Sequence, residues 1–331
     1  MTVPVFVTAL GAHVPDGICT VQDAIASGRY DTQRAKTDGF VSVRIEDDLS
    51  PPDMALRAAQ ATVDQTDRDA INTLYLTSIH RHGHKLLWPP ASYLHNALEL
   101  GTRTRVLTIN QGCNGAFVAT SMAIDMIGAG LKGDQLVVGA DRFSGSAFDR
   151  FNSDLGTLYG DGAFAARFSA NHGPYQVRAM VLESEPALEP LYRDVHSADE
   201  SHADHDIKSA KRAWLDQHGR ERFNQLFIPA LQRLRAALLG HVDLVRYPAD
   251  YIIYPNVGAG LSAQLYTGEL ADLAQRHMWD FGRSIGHTGT SDQFLGLWEL
   301  HRQQTLTAGQ CVLLIGAGNG LGLAGLLLEK T

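Results

Sequence analysis

Thr108-Ile-Asn-Gln-Gly-Cys-Asn-Gly-Ala-Phe-Val-Ala-Thr120 sets a cysteine between the end of a β-branched run and the start of an apolar helical pattern. The run Arg105–Ile109 reads as a buried strand. Gly115–Ala129 reads as a helix whose small and apolar residues, Ala116, Val118, Ala119, Met122, Ala123, Met126 and Ile127, suit a buried setting. Cys113 therefore stands at a helix entrance, where unpaired amides favour the thiolate over the thiol. The same place also suits a small buried residue with no chemistry, which is the ordinary role of cysteine in an intracellular chain.

Outward from this stretch, short apolar runs alternate with helical patterns. Val3–Leu10, Thr73–Ile79, Gln135–Gly139, Tyr251–Tyr254 and Cys311–Ile315 read as strands. Asp53–Gln65, Ala91–Leu100, Arg222–Leu239 and Ser291–Gln303 read as helices. Such alternation predicts an α/β architecture. The 331 residues exceed one ordinary core, while 44% hydrophobic and 19% charged residues suit a compact chain. No long Ser/Gly linker divides it.

A faint repeat joins the halves. Lys132-Gly-Asp-Gln-Leu-Val-Val-Gly-Ala140 resembles Ala308-Gly-Gln-Cys-Val-Leu-Leu-Ile-Gly-Ala317, an offset of about 176 residues. It carries Cys113 onto the turn Gly286-His287-Thr288-Gly289. If the two helix entrances share one cleft, a thiol and an imidazole meet there, a nucleophile and a base. We therefore expect halves of 1–170, carrying Cys113, and 171–331, carrying His287.

Composition narrows the function. Lys and Arg number 28 against 36 Asp and Glu, a net charge of −8, which argues against nucleic acid as partner. No apolar run is long enough to span a membrane, and Met1–Leu10 lacks a basic leader region, so we expect a cytoplasmic protein with no membrane partner. Cys19, Cys113 and Cys311 give neither a disulfide framework nor a CxxC knuckle, and Cys19 and Cys311 read as structural. His80, His82 and His84, and His196, His202 and His205, lack zinc-ligand spacing, so no metal is expected. Gly316-Ala-Gly-Asn-Gly-Leu-Gly is no dinucleotide fingerprint, because no βαβ unit follows it.

Four segments in order, Asn110-Gln-Gly-Cys113-Asn-Gly, Val137-Val-Gly-Ala-Asp141, Tyr159-Gly-Asp-Gly-Ala163 and Gly309-Gln-Cys-Val-Leu-Leu-Ile-Gly-Ala-Gly-Asn-Gly320, resemble a type III β-ketoacyl-acyl carrier protein synthase of the thiolase superfamily. The resemblance implies a thiolase fold, five-layered αβαβα with two duplicated halves, a homodimer, and an acyl thioester on Cys113. It implies no permanently bound cofactor, with acyl-CoA or the phosphopantetheine of an acyl carrier protein as donor.

The sequence departs from that family at two places. Where the family has His-Gln-Ala-Asn, this chain has Tyr254-Pro-Asn256-Val-Gly258. Where the family has Gly-Asn-Thr, it has Gly286-His287-Thr288. In condensing members the His and Asn together stabilise the enolate of a decarboxylating malonyl thioester. A single imidazole beside an acyl thioester instead suits a general base for an incoming hydroxyl, amine or thiol. Asp292 either orients His287 or complements its helix dipole, and Asn256 is a candidate oxyanion donor. The backbone amides of Cys113 and of Gly318 and Asn319 would form the oxyanion hole. Leu155 and Gly260 fall near the places of the family's CoA-binding arginines, while Lys208, Lys211, Arg212, Arg220 and Arg222 form a basic group for carrier-protein docking or a solvated helix face. Trp88 lies where the family sends an aromatic across the dimer into the acyl pocket.

The expected activity is thus an acyltransferase of secondary-metabolite tailoring, a ketoacyl synthase III relative that has given up condensation. The alternatives are decarboxylative Claisen condensation and a non-catalytic partner subunit.

Overall fold

The computed structural model describes residues 3–63, 68–80, 87–144, 148–193 and 207–331. Strand β1 (Phe6–His13) leads into a small two-stranded sheet of β2 (Gly17–Thr20) and β3 (Ser42–Ile45). Then follow β4 (Ile71–Thr77), β5 (Arg105–Ile109), β6 (Asp134–Asp141) and β7 (Gly162–Ser169). The second half supplies β8 (Tyr175–Ser184), β9 (Ala249–Ile253), β10 (Ala274–His277), β11 (Cys311–Gly318) and β12 (Gly322–Lys330).

The large sheet runs β10-β9-β11-β12-β8-β1-β7-β6-β4-β5. Reading outward from its middle, β1-β7-β6-β4-β5 and β8-β12-β11-β9-β10 have the same order. They also share the same senses: antiparallel, antiparallel, parallel, parallel. The halves are one motif used twice, joined by the short pairing Phe6↔Gln176 and Val7↔Tyr175.

Three apolar layers separate the elements. Helices Pro51–Val63 and Pro90–Ala97 cover the outer face of the first half through Met54, Ala58 and Leu94. Helix Ile207–His241 covers that of the second half through Leu231, Leu234 and Leu238. Between the half-sheets lie helices Gly115–Gly128 and Asp292–Arg302, with Phe117 and Phe294 at 5.5 Å and Phe294 stacked on Phe164 at 4.3 Å. Each buried phenyl contributes about 1.5–3 kcal/mol. This is the thiolase fold: five layers, with the central helix pair entering from the ends that carry Cys113 and His287.

The element ends differ from expectation for local reasons. β1 continues past Leu10 to His13 because Gly11 lets it press on helix Pro51–Val63, where a Cβ would lie 2.1 Å from Ala58 O. That helix begins at Pro51 rather than Asp53, since proline fits a first turn, and the expected end at Gln65 falls outside the described residues. Helix Ile207–His241 extends well before Arg222, but Gly219 breaks it at φ 78°, ψ 155°. None of the described helices is long and apolar enough to cross a membrane.

Candidate active site

Both helix entrances are built from glycine turns. Gly112 takes φ 54°, and a Cβ on it would sit 2.9 Å from Asn319 N. Asn114 N–H donates to Gln111 O at 3.2 Å and Gly115 N–H to Gly112 O at 3.0 Å, closing the turn that carries Cys113. Across the cleft, Gly286 takes φ 81°, and a Cβ there would lie 3.0 Å from Gly160 N. His287 N–H then donates to Leu158 O at 2.7 Å and its carbonyl accepts Gly160 N–H at 3.0 Å. These two bonds pin the backbone of His287 to Tyr159-Gly160, which explains why that glycine-rich segment stands just before β7.

The side chains meet. Cys113 Sγ is half-buried and lies 3.1 Å from His287 Nε2. His287 Nδ1 lies 2.5 Å from Asp292 Oδ2. The imidazole is 4% exposed and Asp292 1%. Asp292 Oδ1 also accepts Thr288 N–H at 2.5 Å and Thr288 Oγ1–H at 2.9 Å. Burial opposes a charge on His287, but the Asp292 carboxylate and the Cys113 thiolate outweigh it, holding its pKa well above the ordinary imidazole value. The geometry suits a proton passing between Sγ and Nε2 while the carboxylate steadies the imidazolium.

A second buried carboxylate organises the rim. Asp141 Oδ1 accepts Ser78 Oγ–H, Ile79 N–H and His80 N–H at 2.8, 2.8 and 3.0 Å, and Oδ2 accepts Thr290 N–H at 3.1 Å. It thereby ties the end of β4 to the turn before the Asp292 helix. Burial raises the pKa of Asp141 against these stabilising bonds.

Of the other expected residues, Gly318 and Asn319 lie against the Cys113 turn: a Cβ on Gly318 would be 2.7 Å from Asn114 N. Their main chain is thus close to the nucleophile's own loop. Asn256 lies against the His287 turn. It is 5% exposed, its Nδ2 donates to Gly286 O at 3.0 Å and its N–H donates to Asp292 Oδ2 at 2.9 Å. Its side-chain amide thus bonds the backbone of the His287 turn, which lets it position that turn.

The docking group is corrected. Lys211 points inward, its Nζ 2.6 Å from Asp154 Oδ1 with a side chain 15% exposed, because the helix it sits on is amphipathic and this face packs on the body. Lys208 is half-buried, with its N–H on Ser153 O at 3.1 Å, while Arg212, Arg220 and Arg222 are exposed. Trp88 is half-buried and packs on Tyr93, ring centroids 5.7 Å apart. Gly260 abuts Thr37, and Leu155 N–H donates to Asp154 Oδ1. Among the described residues no group of His, Cys, Asp and Glu is placed to hold a metal. His80 Nδ1 pairs with Arg142 O at 2.9 Å, and His82, His84, His196, His202 and His205 lie outside the described residues.

Two contributors carried no role in the sequence: Tyr159, whose ring lies edge-on to His287 at 5.3 Å, and Asp154, which accepts the Tyr159 hydroxyl at 2.9 Å. The one sequence signal for Tyr159 was its place at the head of Tyr159-Gly-Asp-Gly.

Comparison with known proteins bears on the family and the fold. The sequence model described as 3-oxoacyl-[acyl-carrier-protein] synthase III matches residues 107–186, and that of its C-terminal part matches 250–330. A β-ketoacyl-[acyl-carrier-protein] synthase III of Pseudomonas aeruginosa is 28% identical over 186 residues, 55% of this chain, and the match spans about half of that relative (52%). The same-named protein of Aliarcobacter butzleri is 21% identical over 322 residues, 95% of this chain and 94% of its own. The solved structure of the acyltransferase ChlB3 superposes with a TM-score of 0.89 at 26% identity, covering 99% of this chain and 98% of that one. With the duplicated half, the cysteine at one central helix entrance and both family segments in order, the chain belongs to the synthase III-like enzymes of the thiolase superfamily.

Proposed function

We propose that this enzyme is an acyltransferase that carries an acyl group on Cys113 and passes it to a hydroxyl, amine or thiol in biosynthetic tailoring. The observation that carries this reading is the relay from Cys113 Sγ through His287 to Asp292, with contacts of 3.1 and 2.5 Å. Decarboxylative condensation needs two donors converging on one malonyl carbonyl. One imidazole backed by a carboxylate suits proton transfer instead.

In the first step Cys113 Sγ attacks the carbonyl of a CoA or carrier-protein thioester. The bond to the donor sulfur breaks, and the donor thiol leaves with the proton from His287. In the second step His287 Nε2 takes the acceptor's proton as the acceptor attacks. The Cys113–acyl bond breaks, and the thiolate is returned to its pair with the imidazolium. The amides of Cys113 and of Gly318 and Asn319 would receive the oxyanion in both steps. The likeness to ChlB3, named an acyltransferase, supports the reading.

The same reading includes a homodimer. β5 is an edge strand pairing with β4 alone among the described residues, and its Leu107 is 39% exposed. The helix that follows Trp88 packs on β5, so the indole would reach a partner's acyl pocket across that edge. Exposed Arg212 and Arg222 would meet an acidic carrier protein.

Intact-protein mass spectrometry with a panel of acyl thioesters tests the proposal. An adduct on the wild type that is absent from Cys113→Ala, and discharged by an added acceptor, is the expected result. Carbon dioxide release from a malonyl thioester with carbon–carbon bond formation would overturn it.

A further inference from the structure

An ion pair that neither step of acyl transfer uses lies behind Tyr159, whose ring meets the catalytic imidazole. Lys211 Nζ and Asp154 Oδ1 are 2.6 Å apart, with side chains 15% and 6% exposed. Asp154 is fully engaged: Oδ1 also accepts Leu155 N–H at 2.6 Å, and Oδ2 accepts Tyr159 O–H at 2.9 Å. Lys211 Nζ stands over the Tyr192 ring, 4.7 Å from its centre. Tyr159 lies edge-on to His287, so the chain of contacts runs from the ammonium to the catalytic imidazole.

A plain alkyl chain needs only apolar walls, and a buried ion pair is a costly way to build one. The pair leaves a surplus of donors. Of the three ammonium hydrogens, Asp154 takes one, the Tyr192 ring faces the ammonium, and no further acceptor bonds it among the described residues. The pair is also neutral overall, so a further carboxylate there would add an uncompensated buried charge, whereas a neutral oxygen would not.

Resting on the acyl-transfer reading, we propose that Lys211 is a specificity residue whose remaining N–H binds a hydroxyl or keto oxygen of the acyl chain. The substrates are then oxygenated acyl thioesters rather than plain alkyl or carboxylate-ended ones.

The test uses the full chain and N-acetylcysteamine thioesters: pentanoyl, pentanoyl with a hydroxyl or keto oxygen at each successive carbon, and glutaryl. The rate of adduct formation on Cys113 is followed by intact mass. At least one oxygenated donor should react about tenfold or more faster than both pentanoyl and glutaryl, as expected for a site built to bond an oxygen. In the double variant Lys211→Met/Asp154→Leu, which removes both charges together, that ratio should fall to near unity. The ratio is read within each protein, so an overall loss of rate does not affect it, and a thermal melt confirms folding. If the double variant does not fold, Lys211→Gln serves in its place, and the ratio should then fall partway. Equal rates across the panel, or a preference that survives in the variant, would overturn the assignment of Lys211 while leaving acyl transfer intact. No adduct from any donor would overturn acyl transfer itself, and this inference with it.

Discussion

Asp292 Oδ2 sits 2.5 Å from His287 Nδ1 and in the same position accepts the N–H of Asn256 at 2.9 Å. One carboxylate therefore orients the imidazole and anchors the strand end after β9, so that the base and the wall behind it move as a unit. Asp292 opens its own helix, where the positive end of the helix dipole adds to the hold on its charge.

Asp292→Asn should separate orientation from charge. Once Cys113 is acylated its negative charge is gone, and His287 must be neutral to accept a proton from the acceptor. Single-turnover transfer should then rise with pH through the His287 pKa, which Asp292 holds above the free value of about 6.5. In the variant the midpoint should move down and the plateau fall by about 10²–10⁴. Folding follows the same sign. A pKa raised in the folded state adds stability that is complete below about pH 6.5 and is lost as pH rises through the folded value. Denaturant melts of wild type and variant should converge over that rise. A midpoint that Asp292→Asn leaves unmoved would sink the charge role, and an unchanged plateau the orienting one.

Asn256→Ala distinguishes a positioning residue from an oxyanion donor. Removal leaves Gly286 O without its partner, at a cost of about 1–3 kcal/mol in stability. Because the backbone N–H of residue 256 still reaches Asp292, acylation of Cys113 should slow by no more than about tenfold, against the 10²–10³ expected for a lost oxyanion donor. Stopped-flow acylation alongside a thermal melt decides between them.

Much of this site could be read from residue order. The repeat alone aligned the Cys113 and His287 turns, and the structure brings their side chains to 3.1 Å because both precede equivalent helices of a duplicated half. Lys211 was misread for a physical reason. Lys208, Lys211 and Arg212 share one helical stretch, and spacing says which residues share a face but not whether that face looks outward. The partner that turns Lys211 inward, Asp154, lies in a distant loop. Asn256 shows the same limit, since its place in the chain matches a catalytic position while the Gly286 carbonyl that it bonds lies 30 residues away in sequence.

Leu107→Glu tests the edge. β5 offers one side of its backbone and the partly exposed Leu107 to a second copy. A charge there should weaken self-association by about thirtyfold or more, the loss of about 2 kcal/mol typical of a central interface residue. Light scattering at micromolar concentration should show the dimer dissociating toward the 36.0 kDa chain mass, with the melt little changed. A wild type that is already monomeric would remove the edge as an interface.

Gly318→Ala tests whether the glycine loop serves the nucleophile through contact of main chain with main chain. The added Cβ would meet Asn114 N at 2.7 Å, Asn114 Cβ at 3.0 Å and Gln111 O at 3.2 Å. Two of these atoms are backbone on either side of Cys113, so no side chain can swing away and the loops must part. The overpacking should cost about 1–3 kcal/mol. If the amides beside Cys113 receive the oxyanion, parting them by a few tenths of an ångström should also cut the acylation rate by about 10²–10³. Gly128→Ala, at the far end of the Cys113 helix with open space around it, is the matched control. It should leave acylation unchanged and stabilise the helix by about 0.5–1 kcal/mol. A Gly318→Ala enzyme that is destabilised yet acylates at the wild-type rate would show that the loop packs against the turn without touching the chemistry.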